Sequence, residues 1–274
     1  MSSYLKELRE NKKKNLENLN KQITDSKKTS YGDDRFWKLT VDKSGNGEAV
    51  IRFLPFNRGE SVVWVEKYSH AFEGTSGKWY VENCPTTTPG SPCPVCDANR
   101  LIWNNNPDEI ARKKTEKTKR IHKFYSNILV VDDPQNPDNN GKVFLFEYGP
   151  KIHNKITEAI QPISSRQKPI DPFDADEGAN FLLLAKNVSG QRNYDSSRFE
   201  SVSPISEDDA KVEKILNSMF SLKSLVSKEN FKSYDELADS LDRANGRNGS
   251  IGKHEIEEEA ELPSEDFSST TIKK

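Results

Sequence analysis

Four residues in one short stretch could hold a metal ion: His70, Cys84, Cys93 and Cys96. Thirteen residues separate His70 from Cys84, eight separate Cys84 from Cys93, and Cys93-Pro-Val-Cys96 is a tight CxxC. A bound Zn²⁺ takes four soft or borderline ligands in a tetrahedron, and this set offers three thiolates and one imidazole. The CxxC brings two sulfurs to one ion across a turn, while the longer gaps let flanking strands deliver the rest. Four protein ligands leave no open coordination position, so the expected metal is structural. Cys84 and Cys93 lie among Pro, Thr, Gly and Ser, which is a loop composition. With no evident export signal, these thiols read as ligands in a reducing compartment rather than a disulfide framework.

A second group of residues suits nucleic acid. Binding single strands without sequence preference needs cations along the backbone and flat side chains that stack on any base. Arg112, Lys113, Lys114, Lys117, Lys119, Arg120 and Lys123 run directly into Phe124 and Tyr125. Further rings occur on strand-like segments or their edges at Tyr80, Phe144, Phe146, Tyr148 and Tyr194. In a strand, Phe144, Phe146 and Tyr148 point one way and Val143, Leu145 and Glu147 the other, so one row is expected to be core. By the same alternation only one of Phe124 and Tyr125 is an easy ligand contact. Tyr125, beside Lys123, is favoured.

Enzyme readings find little support. A zinc deaminase has a Pro-Cys-x-x-Cys run, present at 92–96, but also a His-x-Glu and an open metal position. Here His70 is followed by Ala71 and Phe72, and Cys84 would fill the open position. There is no HExxH, Gly-rich phosphate loop or G-x-S-x-G elbow. No enzymatic activity is expected.

These groups need a scaffold. At 274 residues the chain can hold one large domain with tails, and its 33% hydrophobic and 31% charged content favours flexible ends over a larger core. No run is apolar enough to cross a bilayer, and the N-terminus lacks the apolar block of a signal peptide. The net charge of −2 hides a sorted distribution. Residues 1–30 hold eight Lys or Arg against four acids, 111–123 hold seven against Glu116 alone, and 255–266 hold seven acids and no base. Such sorting points to a polyanion partner and an acidic segment acting elsewhere.

Alternation and turn residues predict strands over 36–41, 49–53, 62–65, 79–81, 121–131, 143–148 and 181–188, with His70 following the third. Helical spacing predicts helices over 3–25, 93–103, 151–160, 207–226 and 234–241. The expected fold is mainly β with added helices, as a barrel or curled sheet. The domain boundaries expected are a basic segment over 1–30, a core over 31–245 with a metal subdomain near 62–123, and an acidic tail over 246–274.

Several motifs together resemble one family, the single-stranded DNA-binding, helix-destabilising proteins of T-even-type bacteriophages. They are GNGEAVIRFLP at 45–55, GKWYVENC at 77–84, CPVC at 93–96, YSNILVVDDP at 125–134, GKVF at 141–144, EGANFLLLAKNVSG at 177–190 and NYDSSRF at 193–199. The resemblance covers roughly 34–241. It implies an OB-fold, a five-stranded Greek-key barrel, with a zinc-binding subdomain and DNA in a basic cleft between them. It carries one structural Zn²⁺ onto His70, Cys84, Cys93 and Cys96. It also implies DNA contacts at Arg52, Lys119, Arg120, Tyr125, Phe146 and Tyr194, and at Tyr80 and Phe124. Self-association along DNA through the basic N-terminal segment, and recruitment of phage replication and recombination proteins by the acidic tail, follow from the same resemblance. So does a place in the cytoplasm of an infected bacterial host. The chain departs from the family at LKELRENKKKN near the N-terminus, at KRIHK over 119–123, and in a tail that ends Lys273-Lys274.

The function expected is coating and protection of unpaired DNA during viral replication, recombination and repair. RNA-binding regulation, with its own message as one ligand, and a zinc-stabilised interaction scaffold are the alternatives.

Overall fold

The computed structural model describes residues 33–105 and 107–247. The expected helix over 3–25 and the acidic run 255–266 lie outside these residues. The described strands are β1 (Phe36–Trp37), β2 (Gly47–Phe53), β3 (Val65–Glu73), β4 (Trp79–Asn83), β5 (Ile121–Asp132), β6 (Val143–Tyr148), β7 (Ala179–Val188), β8 (Gln191–Asn193) and β9 (Arg198–Val202). The helices are α1 (Pro94–Asn104), α2 (Glu109–Thr118), α3 (Pro150–Ile160), α4 (Asp209–Leu216) and α5 (Tyr234–Ala244). The architecture is mainly β with added helices. Nine strands lie among the described residues.

The described chain forms two compact units. The first takes residues up to 70, 83–91 and 120–231; the second takes 71–82, 92–119 and 232 onward. In the first unit the strands run β1-β6-β5-β2-β7-β8, with β3 also on β5 and β9 also on β7. Every pairing in this set is antiparallel except β1 with β6.

Strand β5 organises this unit. Its twelve residues pair with β3, β2 and β6 along different parts of their length, and both of its faces are buried from Phe124 to Val130. Alternation sends Phe124, Ile128 and Val130 into a core with Ile51, Phe53, Phe146, Tyr148 and Phe181. Tyr125 faces the other way and packs with Leu145, Leu222 and Leu225. Phe146 and Tyr148 therefore belong to the core row of β6, and Leu145 to its opposite row.

Three elements differ from their expected form. The strand expected over 36–41 is only β1, because its pairing with β6 covers just Phe36↔Leu145 and Trp37↔Phe146. The strand expected over 62–65 starts at Val65 and runs on to Glu73, so His70 lies within a strand rather than after one. The cause is tertiary, since β5 offers a partner ladder from Val65↔Tyr125 to Ser69↔Ile121. The helix expected over 207–226 ends at Leu216. Beyond it, the Phe220 amide donates to Asn127 Oδ1 at 2.9 Å and the Leu222 amide to Glu60 Oε2 at 3.1 Å. These amides are held by side chains, so they do not donate to carbonyls one helical turn back. A short 3-10 turn, Lys223–Val226, seats Leu225 in the core instead.

In the second unit the end of β3 pairs with β4, and the turn between them caps helix α5. Ser76 Oγ donates to the Ala244 carbonyl at 2.7 Å and Thr75 Oγ1 to the Asn245 carbonyl at 2.9 Å. These bonds satisfy carbonyls that a helix end leaves unpaired. Gly74 permits the contact, because a Cβ there would lie 2.1 Å from the Ala244 oxygen. Helix α5 opens on a capping box formed by Ser233 and Glu236.

Candidate nucleic-acid interface and metal centre

Strand β3 carries His70, and Cys84 immediately follows β4 at the start of the 3-10 turn Pro85–Thr87. Cys93 is the N-cap of α1, Pro94 takes the first helical position, and Cys96 lies in the first turn. Proline suits that position because its missing N–H would be unpaired there in any case. One donor atom from each of His70, Cys84, Cys93 and Cys96 lies within 4.8 Å of the others. An ion about 2.3 Å from each sulfur would set tetrahedral sulfurs about 3.8 Å apart, so the spacing fits. His70, Cys84 and Cys93 are buried and Cys96 is partly so, and none of the three cysteines is in a disulfide. The four residues could hold a metal ion.

The expected nucleic-acid contacts fall into distinct groups. Within the first unit, Lys123, Phe146, Tyr148 and Tyr194 line one cleft of about 490 Å³, but Phe146 and Tyr148 are buried core rings and only Tyr194 of the three is partly exposed. Trp37, Lys38, Lys151 and Arg192 line it as well, and these the sequence reading did not single out. A local signal for Arg192 existed, since it lies two residues before Tyr194 in a Gln-Arg-Asn-Tyr run. Lys38, by contrast, is brought to the cleft by the parallel pairing of Trp37 with Phe146. Lys151 lies in the first turn of α3, whose N-cap, Gly149, follows β6 directly.

Tyr125 lines a neighbouring cleft of about 550 Å³ with Phe36, Lys38, Lys67, Phe144 and Glu147. Its hydroxyl donates to Glu147 Oε2 at 2.9 Å, and the Lys67 ammonium lies 4.8 Å from its ring centroid. Burial, then the Glu147 charge, pushes the Tyr125 hydroxyl far above its ordinary pKa. Burial does the same to Tyr148, opposed by its hydrogen bond with Ser126. Both rings stay neutral near pH 7. Burial lowers the Lys67 pKa, and Glu147 opposes the fall.

Arg120 is exposed and held. Its guanidinium lies 4.4 Å from the Tyr68 ring centroid, and Nη1 donates to Thr86 Oγ1 at 2.9 Å. Phe124 is buried, with its ring stacked on His153 at 3.7 Å between centroids. Alternation puts Phe124 and Tyr125 on opposite faces, but both are buried, each in its own core cluster.

Arg52 is not offered to a ligand. It is fully buried on β2, donating from Nη1 to the Ser203 carbonyl at 2.9 Å and from Nη2 to the Asp174 carbonyl at 2.7 Å. Burial lowers its pKa and Asp174 opposes the shift. It pins the segment after β9 and the loop before β7. Gly178 leaves the room, because a Cβ there would meet Arg52 Nη2 at 2.5 Å.

In the second unit, Tyr80 is also buried, stacked on Phe72 at 5.0 Å, so its ring is core rather than a free stacking surface. Arg112, Lys113 and Lys114 are exposed on helix α2, not on a loop, and Lys119 is exposed just after it. Asp108 caps that helix by accepting from the Ala111 amide at 2.7 Å. Lys113 pairs with Glu109 at 2.7 Å, and Arg112 lies 5.9 Å from the Trp103 ring centroid.

A mainly β core with cation-rimmed clefts, together with a His-Cys₃ cluster that could hold a metal ion, defines the class of a β protein with surfaces suited to polyanions. The chain belongs to the family described as gp32 DNA binding protein like, which matches residues 45–244. It is 39% identical over 214 residues to the single-stranded DNA-binding protein of Enterobacteria phage T2, covering 77% of this chain and 70% of that one. To the single-stranded DNA-binding protein of Enterobacteria phage T4 it is 38% identical over 220 residues, covering 79% and 72% respectively. It is also 48% identical over 84 residues to the protein of the same description from Enterobacteria phage RB70, 29% of this chain and 71% of that one. Among the described residues no helix is long and apolar enough to cross a membrane.

Proposed function

We propose that this protein binds single-stranded DNA and coats it during viral replication, recombination and repair. The observation that carries the reading is the cleft that Lys38, Lys123, Lys151 and Arg192 line with the partly exposed Tyr194, beside the core rings Phe146 and Tyr148. Tyr194 would stack on a base at about 1–3 kcal/mol, and the cations would neutralise phosphates. Arg120 and the cleft-lining hydroxyl of the buried Tyr125 would extend the contact surface of the first unit, and Arg112, Lys113, Lys114 and Lys119 are further cations for phosphate. Arg52, Tyr80, Phe124, Phe146 and Tyr148 act in this reading as supports.

His70, Cys84, Cys93 and Cys96 would hold one Zn²⁺, whose role is to brace the fold rather than to react. Within the family's fold the sheet would serve as an OB-type platform for the strand. No covalent chemistry is assigned. Work is done by binding unpaired strands more tightly than duplex, which shifts hairpins and breathing regions toward the open form. The basic segment 1–30 would contact neighbouring copies on DNA, and the acidic tail would recruit phage replication and recombination proteins in the host cytoplasm.

The test is a titration of metal-quantified protein with single-stranded and duplex DNA, and with matched RNA, over a salt series. Preference for the DNA single strand with a salt-dependent affinity supports the reading. Equal affinity for RNA favours a regulator of messages. No binding to any of them leaves only an interaction scaffold.

A further inference from the structure

Carboxylates interrupt the cationic surface, Asp33 and Asp34 in the second cleft and Glu147 in both. Glu147, on β6, is the acid shared by both clefts, each of which also holds lysines and aromatic rings. Its Oε1 lies 3.1 Å from Lys123 Nζ and its Oε2 accepts from Tyr125 Oη at 2.9 Å. Lys67 stands over the Tyr125 ring, and the Glu147 charge acts on it as well. The Glu147 and Lys123 side chains are 44% and 35% exposed, and Tyr125, though buried, lines the same cleft as Glu147.

Two oxygens of one anion, held by an ammonium and a hydroxyl beside an aromatic face, are what a backbone phosphate would present here. We propose that Glu147 is an internal stand-in for a DNA phosphate, which occupies Lys123 and Tyr125 in the free protein and is displaced on binding. The proposal rests on the single-stranded DNA reading and names how that same surface is regulated. It has a thermodynamic consequence. A lysine already neutralised by a carboxylate gains little when a phosphate replaces that carboxylate, and the released Glu147 then repels the strand. Binding is therefore weaker, and less salt-dependent, than the number of cations in the clefts implies. A protein that must vacate its strand ahead of a copying enzyme benefits from such a competing partner.

The decisive variant is Glu147→Gln, which removes the charge while its amide oxygen can still accept from Tyr125. Fluorescence titrations with oligothymidine compare it with wild type across a salt series, alongside Lys123→Gln and the double variant, with thermal midpoints recorded for each. The expected result is about two- to five-fold tighter binding by Glu147→Gln at low salt. Its plot of log affinity against log salt should also steepen by about 0.7 for each phosphate newly engaged. In addition, Lys123→Gln should cost more affinity in the Glu147→Gln background than in wild type. Unchanged or weaker binding by a folded Glu147→Gln, or equal Lys123→Gln losses in both backgrounds, overturns the proposal. Absence of oligothymidine binding by wild type overturns instead the function on which it rests.

Discussion

The Arg120 guanidinium lies over the Tyr68 ring at 4.4 Å, and the same ring stacks on His122 at 4.6 Å. Arg120 is thus held flat by a π face, with Nη1 fixed by Thr86, while its side chain stays exposed. An arginine held this way can meet a phosphate without first losing rotamer freedom. Lysine cannot reproduce the arrangement, because its ammonium is a point charge with no plane to stack. Arg120→Lys should weaken oligothymidine binding by about two- to five-fold, the scale of an exposed cation–π contact, with an unchanged thermal midpoint. Equal affinity for the two proteins would show that only the charge matters.

The metal cluster connects to that same arginine. Cys84 Sγ lies 3.1 Å from Thr86 Oγ1, the atom that accepts from Arg120, and the Cys84 amide donates to the Tyr68 carbonyl at 2.8 Å. Removing the ion should loosen the turn after Cys84 and with it the Arg120 seat. Chelation with verified metal loss should lower both the thermal midpoint and the affinity for oligothymidine. The fall in affinity should be smaller in an Arg120→Ala background. Unchanged affinity after metal loss would refute the bracing role.

Arg52 provides the contrasting case. Its guanidinium is buried and bonded to the carbonyls of Ser203 and Asp174, and Arg52 lines neither of the clefts described above. Replacement by methionine keeps most of the volume but leaves both carbonyls without this donor, at a cost of about 1–3 kcal/mol. Arg52→Met should therefore unfold at lower denaturant concentration, yet bind oligothymidine as wild type does while folded. Loss of affinity at full stability would restore Arg52 as a DNA contact.

His153 gives the protein a pH signature. Burial lowers its pKa below the ordinary 6.5, with Glu66 opposing and His122 adding to the fall, and its buried Nδ1 has no hydrogen-bond partner among the described residues. As pH drops, the unfolded chain takes up this proton before the folded protein does. Stability linked to the group is complete above pH 6.5 and declines as pH falls through that value toward the folded pKa. His153→Phe keeps a ring to stack on Phe124 and cannot titrate. The difference in thermal midpoint between variant and wild type should shift in favour of the variant from about pH 7 to pH 5. Parallel curves would remove His153 from the account.

Much of the site was legible along the chain because its signals are local. A CxxC with a third cysteine and a nearby histidine states its chemistry through donor type and short spacing, and the four donors do converge. Strands β2, β5, β6 and β7 were readable from alternation, and the separation of Phe124 from Tyr125 followed from the same period of two. The basic run at 112–120 was visible as charge, although its helix was not anticipated. Asp108 at its start was the available sign.

Tertiary structure alone decided which of those charges and rings remain available to a ligand. Arg52 reads as a cation until Ser203, 151 residues away, takes its donor. The helix after 207 reads as long until Asn127, 93 residues earlier, takes the Phe220 amide. Glu147 reads as one more polar strand residue until β5 brings Lys123 and Tyr125 to it. Ligand identity is carried by side-chain type and short spacing, which any local window contains. Burial and pairing depend on groups that only the folded chain brings within bonding distance.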